Sequence, residues 1–287
     1  MKNVAKTTTL ENKFPLLAVE NNCILSKDAD IAACFEVRLP ELFTVASAEY
    51  EAIHSAWHKA IKTLPDFTIV HKQDWYIKEN YAPDLTQENQ SFLSKSYQRH
   101  FNERPFLNHY CYLFLTKTTK ERMRMQSNFS SLCKGTLIPK EIRNKETIQH
   151  FMEAIAQFER ILNDSGFVSL KRLNEDDIVG TDEKQGLLEQ YLTLSKTVGT
   201  PMQDIALGAE EVRIGNKRLS LHTLSDTDDL PATVSADTRF EKLSTDRSDC
   251  RLSFAAPVGL LLSCNHIYNQ YLFLDNSEDN LQKFEKS

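Results

Sequence analysis

Residues 32–77 constrain the fold most, because they place one helix pattern between two strand patterns. Polar and apolar residues alternate over residues 32–39, as in a strand with one buried face, and Pro40 ends this strand. Pro65 separates the following helix from a second strand at residues 67–77. The helix has one apolar face with residues three or four positions apart, formed by Tyr50, Ile53, Trp57, Ile61 and Leu64.

The chain up to residue 196 contains further patterns of both kinds. Two short strand patterns, at residues 14–19 and 23–25, are joined by Asn21-Asn22, residue types that accept left-handed turn conformations. Periodicity predicts three more helices, at residues 90–104, 147–162 and 183–194, and two more strands, at residues 110–116 and 167–173. This order predicts an α+β fold with a ferredoxin-like β-α-β-β-α-β core at about residues 30–175 and one inserted helix.

The remaining residues, 197–287, predict a smaller β-rich subdomain after an α/β domain at 1–196. Gly215-Asn216 between two short strand patterns is a hairpin signal, and residues 225–250 are polar and acidic. Further strand patterns follow at 251–254, 259–264 and 268–274. A helix pattern that begins after Ser277 has no C-terminal cap, so we expect the sequence to stop inside a helix.

Composition favours a cytoplasmic globular protein. The 287 residues are 41% hydrophobic and 26% charged, which is ordinary for a folded chain. A net charge of −6 argues against a protein that coats nucleic acid over its whole surface. Six cysteines without a CxxC pair favour reduced, buried thiols. No apolar segment of a secretory signal precedes the first strand, and the longest near-apolar run, residues 254–264, is too short to span a membrane.

The sequence lacks a phosphate-binding loop of the form GxxxxGK[ST]. The glycine-containing stretches at residues 198–208, 213–218 and 256–263 all lack the Gly-Lys-Ser/Thr ending. That ending supplies the lysine for the β/γ-phosphates and the hydroxyl for magnesium. We therefore expect no cofactor in this chain and no catalytic activity.

Several residues could in principle bind a metal or act as nucleophiles, but in each case the pattern favours a structural role. The candidate metal ligands are a helical pair, His54 and His58, a set of Cys250, Cys264 and His266, and an acidic run at residues 226–229. The candidate nucleophile pair is His109 and Cys111. None has the spacing of a known zinc motif, an EF-hand or a nucleophile elbow. Core packing or a solvated surface is the favoured interpretation for all of them, with no catalytic or metal residue predicted.

A basic segment between residues 117 and 145 is the candidate partner-binding site. Its eight cations are Lys117, Lys120, Arg122, Arg124, Lys134, Lys140, Arg143 and Lys145. Glu121 and Glu141 subtract two charges, which leaves +6 in a chain whose total is −6. Phe129 is the only aromatic residue there, so base stacking on single strands has little support. An uneven solvated surface, lipid headgroups, an acidic protein face and DNA remain alternative explanations.

Longer phrases resemble the start of the TraG-type conjugation ATPases of Bacteroides-type conjugative transposons, a type IV secretion ATPase class. The phrases are TTTLENKFPLL (7–17), SAEYEAIHSAWHKAIKTLPD (47–66), HKQDWYI (71–77), HFNERP (100–105), YLFLTKTTKER (112–122), LSTDRSD (243–249) and GLLLSCNHIYNQYLFLD (259–275). The resemblance implies the region that precedes a RecA-like motor, with the nucleotide-binding residues, ATP and magnesium beyond Ser287. No catalytic residue of that family has a counterpart here.

The resemblance also implies partners. It predicts a non-catalytic region that docks the motor to other conjugation-apparatus proteins, contacts the cytoplasmic face of the inner membrane peripherally and aids self-association of the full-length protein. We do not expect direct DNA binding. The alternative is a free-standing nucleic-acid-binding accessory protein of conjugation that uses the basic segment at residues 117–145.

Overall fold

The computed structural model describes residues 9, 14–40, 45–81, 91–119, 145–208, 210–223, 228, 238–239, 241, 244–247, 251–252, 262–276 and 281. Its helices are α1 (Ser47–Ile61), α2 (Phe92–Asn102), α3 (Lys145–Asp164), α4 (Glu175–Val179) and α5 (Leu187–Thr193). Its strands are β1 (Leu16–Glu20), β2 (Cys23–Ser26), β3 (Ile31–Arg38), β4 (Thr68–Glu79), β5 (Phe106–Lys117), β6 (Ser169–Arg172), β7 (Ile205–Leu207), β8 (Val212–Ile214), β9 (Lys217–Leu219), β10 (Thr238–Arg239), β11 (Arg251–Leu252) and β12 (His266–Leu274).

One seven-stranded sheet dominates the fold. Six strands follow the order β1-β2-β3-β5-β4-β12, and β6 pairs with β3 beside β2. Every pairing is antiparallel. β2 pairs with the first residues of β3 and β6 pairs with the last ones, so β2 and β6 lie along the same edge of β3. The structure is a mixed α and β fold with antiparallel sheets, as the predicted α+β class requires.

The two long helices cover one face of this sheet. α3 buries Phe151, Ile155, Phe158 and Leu162 against the sheet, and α1 contributes Ala60 to the same core. These side chains meet Phe35, Val70, Leu113 and Leu115 from the central strands. The rings of Trp57 and Phe158 lie edge to face with centroids 6.0 Å apart, which confirms that α1 and α3 share one layer.

The opposite face has a second core under two short helices. α4 buries Ile178 and α5 buries Leu187 against Trp75, Ile77 and Tyr112 of β4 and β5. Trp75 is completely buried, and its ring meets that of Tyr112 at 5.0 Å. The central strands therefore contribute side chains to a core on each face of the sheet. The core under α1 and α3 is larger than the core under α4 and α5.

Local turn chemistry confirms two of the predicted hairpins. Asn21 and Asn22 both have positive φ, at 54° and 59°, where β1 turns into β2. Gly215, with φ of 58°, opens the turn between β8 and β9. The two adjacent left-handed residues Asn21 and Asn22 give the type I′ geometry that matches the twist of paired strands.

The strand β12 lies in the main sheet. It pairs along its whole length with β4, from His266 opposite Tyr76 to Leu274 opposite Thr68. The strands β7, β8 and β9 form a separate three-stranded sheet, and β10 pairs with β11. A domain boundary at residues 196/197 stays a prediction, but the sheet of the first region takes one strand from beyond that point.

Candidate functional site

The structure describes only the two ends of the basic segment. Lys117 is the last residue of β5, and its ammonium donates to the carbonyl of Asp66 at 2.5 Å and lies 5.5 Å from the centroid of the Phe67 ring. Lys145 is the first residue of α3. The other candidates, Lys120, Arg122, Arg124, Lys134, Lys140 and Arg143, lie outside the described residues. The partner-binding role of the segment therefore stays a prediction.

The candidate metal ligands are spread over the molecule. His54 and His58 are exposed on α1, and Cys264 is exposed before β12. Cys250 and most of the acidic run at 226–229 fall outside the described residues. Among the residues that the structure does describe, no group of three His, Cys, Asp or Glu side chains is arranged to hold a metal ion.

His109 belongs to a polar cluster on the face of β4, β5 and β12 that α1 and α3 cover elsewhere. Its Nε2 lies 2.9 Å from Oδ1 of the buried Asp74, whose other oxygen accepts from Lys72. The Tyr76 ring is stacked between His109 at 4.8 Å and His266 at 4.6 Å. Burial acts to raise the pKa of the Asp74 carboxyl, but His109 and Lys72 outweigh burial and hold this pKa below its usual value.

Cys111, two residues from His109, is not prepared to act as a nucleophile. Burial raises the pKa of its thiol to about 12. A thiolate is the reactive form of cysteine, so this thiol stays protonated at physiological pH. His109 is exposed and hydrogen-bonded to Asp74, while Cys111 is packed in the core. The two residues therefore have structural roles.

On the opposite face, Lys196 is held over two aromatic rings. Its Nζ lies 3.2 Å from the ring centroid of Tyr110 and 5.6 Å from that of Tyr112. Burial lowers the pKa of this ammonium to about 8, while Glu36 and Glu79 act to raise it. The Tyr110 hydroxyl donates to Glu79 at 2.6 Å. A cation–π contact is strongest when it is desolvated, and Lys196 is largely removed from solvent. This contact therefore anchors the segment that follows α5 to the sheet.

The outer edge of β12 is the surface that best fits a binding role. Within the part of the chain that the structure describes, β12 pairs with β4 alone, which leaves its other edge without a strand partner. Its nine residues include no Lys, Arg, Asp or Glu. Tyr271 and Phe273 are 56% and 57% exposed on one face, and Leu272 is 44% exposed on the other. We call this region, His266–Leu274 with its exposed side chains, the β12 edge.

Neighbouring groups hold the β12 edge in place. The ring of Tyr271 stacks on His71 of β4 at 4.1 Å, and Phe273 follows at 6.2 Å from Tyr271. Asn269 accepts from the side-chain amide of Gln73 at 2.9 Å, and its Oδ1 lies 2.9 Å from His71 Nε2. On the face of the sheet that α1 and α3 cover, an apolar cavity lies between α1 and β12. Its lining includes Leu39, Trp57, Ile61 and Leu272.

Sequence reasoning identified this strand but not its exposure. The pattern predicted a strand at residues 268–274 and placed it in the β-rich subdomain. Two signals pointed to an edge that can accept a partner: nine residues without a formal charge, and aromatic residues at alternating positions. Natural sheet edges usually carry a charge, a proline or a bulge to prevent pairing, and the described β12 carries no charge or proline.

Comparison with known proteins gives one match of limited extent. The family model of a domain of unknown function, with the description B. Theta Gene description (DUF3875), matches residues 3–55. The match reaches from the start of the chain into α1 and assigns no activity. No curated protein matches the chain. None of the helices that the structure describes has the length and apolar character needed to cross a bilayer.

Proposed function

We propose that this chain is the non-catalytic amino-terminal region of a conjugative DNA-transfer ATPase of the type IV secretion class. In this proposal it docks the motor onto other proteins of the channel, sits against the cytoplasmic face of the inner membrane and aids self-association. ATP and magnesium belong to the motor, which would follow Ser287. The phrases of sequence that resemble the TraG-type ATPases support this parentage.

The observation that carries the docking role is the β12 edge. A strand with one unpaired side presents a row of N–H and C=O groups that a second strand can satisfy by antiparallel or parallel pairing. The absence of formal charge from His266 to Leu274 removes the usual barrier to such pairing. Tyr271 and Phe273 add exposed aromatic area, and aromatic residues are the commonest anchors of protein interfaces.

The strand order supports a ferredoxin-like core within this region. The strands β6, β3, β5 and β4 are adjacent in that order and all antiparallel. The chain visits them as β3-α1-β4 and then β5-α3-β6, and both helices lie on the same face of the sheet. Two interleaved βαβ units with these properties define the ferredoxin-like layout. The helix α2 is the insertion between β4 and β5.

The docking proposal predicts that blocking the β12 edge stops DNA transfer. Tyr271→Lys/Phe273→Lys adds two charges to the exposed face and should lower the transfer frequency of the conjugative element by at least about tenfold, since aromatic anchors often contribute about 2 kcal/mol each. The measurement is a mating assay in a host that carries the variant in place of the wild-type gene.

Leu17→Lys on β1 is the matched control, because Leu17 is 68% exposed and lies on the opposite edge strand of the same sheet. It should leave transfer unchanged. The double variant also removes the contact of the Tyr271 ring with His71, so thermal unfolding must show that both variants are folded at the temperature of the assay. A folded double variant that transfers DNA at the wild-type frequency would refute docking through the β12 edge. Reading the coding DNA past codon 287 tests the parentage separately, since an open frame should reach GxxxxGK[ST].

The free-standing nucleic-acid-binding protein remains the alternative. Its candidate residues lie mostly outside the described part of the chain, and the ammonium of Lys117 already donates to Asp66. No geometry of the described residues favours it over docking.

A further inference from the structure

The helix α2 exposes an apolar surface that the rest of the described chain does not cover. None of the residues of Phe92–Asn102 is buried. Phe92, Leu93 and Tyr97 are 82%, 78% and 64% exposed. A surface helix of a globular protein normally buries its apolar stripe in the core, whereas no described residue buries the stripe of α2.

The apolar and basic residues of α2 lie on different faces. Leu93, Tyr97 and Phe101 are spaced by four residues and share one face, while Lys95 and Arg99 share the other. The ring of Phe101 lies 4.5 Å from Tyr97 and 6.3 Å from Tyr81, a residue outside the helix. These contacts order an aromatic patch at the surface.

The positive charge in and beside α2 favours an anionic partner. The helix contains Lys95, Arg99 and no acid, and Arg104 follows beside His100 with their nitrogens 2.9 Å apart. Glu103, the C-cap, subtracts one charge, which leaves +2 over residues 92–104. The whole chain carries −6, so α2 is a positive element on an acidic protein. Aromatic and leucine side chains on one face with Lys and Arg on the other are typical of helices that lie in the interface of an anionic bilayer.

The size of the surface also favours a bilayer over a protein. Eleven residues of helix are about 16 Å long, and one stripe of three apolar side chains covers a few hundred Å² at most. A stable protein interface buries about 800 Å² on each partner. An interfacial helix needs no such area, because its apolar side chains enter the acyl boundary while the cations stay with the headgroups. Its length is also below the roughly 30 Å needed to cross.

We propose that α2 is a membrane-contact helix that inserts Leu93, Tyr97 and Phe101 into an anionic lipid surface and pairs Lys95, Arg99 and Arg104 with the headgroups. This inference rests on the proposed peripheral contact with the inner membrane and assigns it to one element. It is tested separately from docking through β12, since it involves different residues.

The test is binding of the purified chain to vesicles of equal parts phosphatidylcholine and phosphatidylglycerol, with phosphatidylcholine alone for comparison. We expect binding to the anionic vesicles only. Leu93→Ala/Tyr97→Ala should weaken this binding by at least about tenfold. Arg99→Ala/Arg104→Ala should weaken it by about 25-fold, since each cation near the surface contributes about fivefold. In Tyr97→Trp, the new fluorophore should shift to the blue and be quenched by brominated lipid.

Lys59→Ala/Lys62→Ala removes the same charge from exposed positions at the end of α1 and is the matched control, with binding unchanged. Because α2 has no buried residue, its variants should keep the wild-type unfolding midpoint. Absence of binding to anionic vesicles would overturn the inference. So would binding that survives both α2 variants but disappears in Arg122→Ala/Arg124→Ala, since the basic segment would then hold the lipid. Neither result bears on the β12 mating assay.

Discussion

Asp74 shows how a single buried charge is stabilised in this sheet. Its carboxylate is almost completely buried, and it is held by His109 on β5 and by Lys72 two residues earlier on β4. The ring of Tyr76 is stacked between the imidazoles of His109 and His266 beside it. A buried charge is tolerated only when it is paired and hydrogen-bonded, so the three side chains form one structural unit.

Asp74→Asn should destabilise the protein by about 1–3 kcal/mol at neutral pH, because it leaves the buried hydrogen-bond network incomplete. The loss should depend on pH. Since the folded-state pKa of Asp74 lies below its unfolded value of about 3.9, its contribution is complete above that value and is lost as pH falls through the folded pKa. The difference between wild type and variant should therefore shrink below about pH 4.

Urea unfolding at a series of pH values measures this difference directly. The exposed Asp182→Asn is the control, and its unfolding free energy should follow that of the wild type at every pH. An Asp74→Asn variant with a constant deficit from neutral to acid pH would show that the carboxylate is not ionised in the folded protein.

At the scale of elements, the layer formed by α1 and α3 supplies the larger core. Phe158 is completely buried in the middle of α3, and its ring meets Trp57 of α1. Phe158→Ala should lower the unfolding free energy by about 3–5 kcal/mol, since the cavity that it leaves adds to the lost transfer energy. The same substitution at the exposed Phe92 should change stability by less than about 0.5 kcal/mol. A urea midpoint that Phe158→Ala leaves unchanged would contradict this packing.

Local patterns predicted the elements well where period and turn chemistry agreed. The periodicity of residues 147–162 anticipated α3, which extends from Lys145 to Asp164. The alternation over residues 32–39 anticipated β3 (Ile31–Arg38). Both signals are local, because each depends only on which residues share a face.

The position of β12 could not be predicted in the same way. Its nine pairs with β4 join residues that lie almost two hundred positions apart in the chain, and periodicity contains no information about such distant partners. The docking surfaces were missed for a related reason. The sequence pattern of α2 is that of an ordinary amphipathic helix, and only the fold shows that its apolar face has no described partner. Charge counting found the segment at 117–145 instead, because clustered cations are visible without coordinates.

At the scale of the whole molecule, the fold is an α+β sheet domain with exposed surfaces at β12 and α2. We expect the purified chain neither to bind nor to hydrolyse ATP, because it lacks the GxxxxGK[ST] loop that binds the phosphates and magnesium. Isothermal titration with Mg-ATP measures this, and micromolar binding would contradict the proposed division between docking region and motor. A longer product that includes the motor is the positive control.

Binding to single-stranded DNA separates the two functions that the sequence left open. If residues 117–145 formed a DNA-binding surface, log affinity would fall with log salt at a slope of about −0.7 for each phosphate contact, because each contact releases counterions. Arg122→Ala/Arg124→Ala would then reduce the magnitude of that slope by more than about one unit. We expect instead only weak binding at physiological ionic strength, since the chain as a whole carries −6 and repels the phosphates. Lys59→Ala/Lys62→Ala removes equal charge from α1 and is the control. Tight binding that the Arg122/Arg124 variant abolishes and the control retains would favour the nucleic-acid-binding alternative over docking.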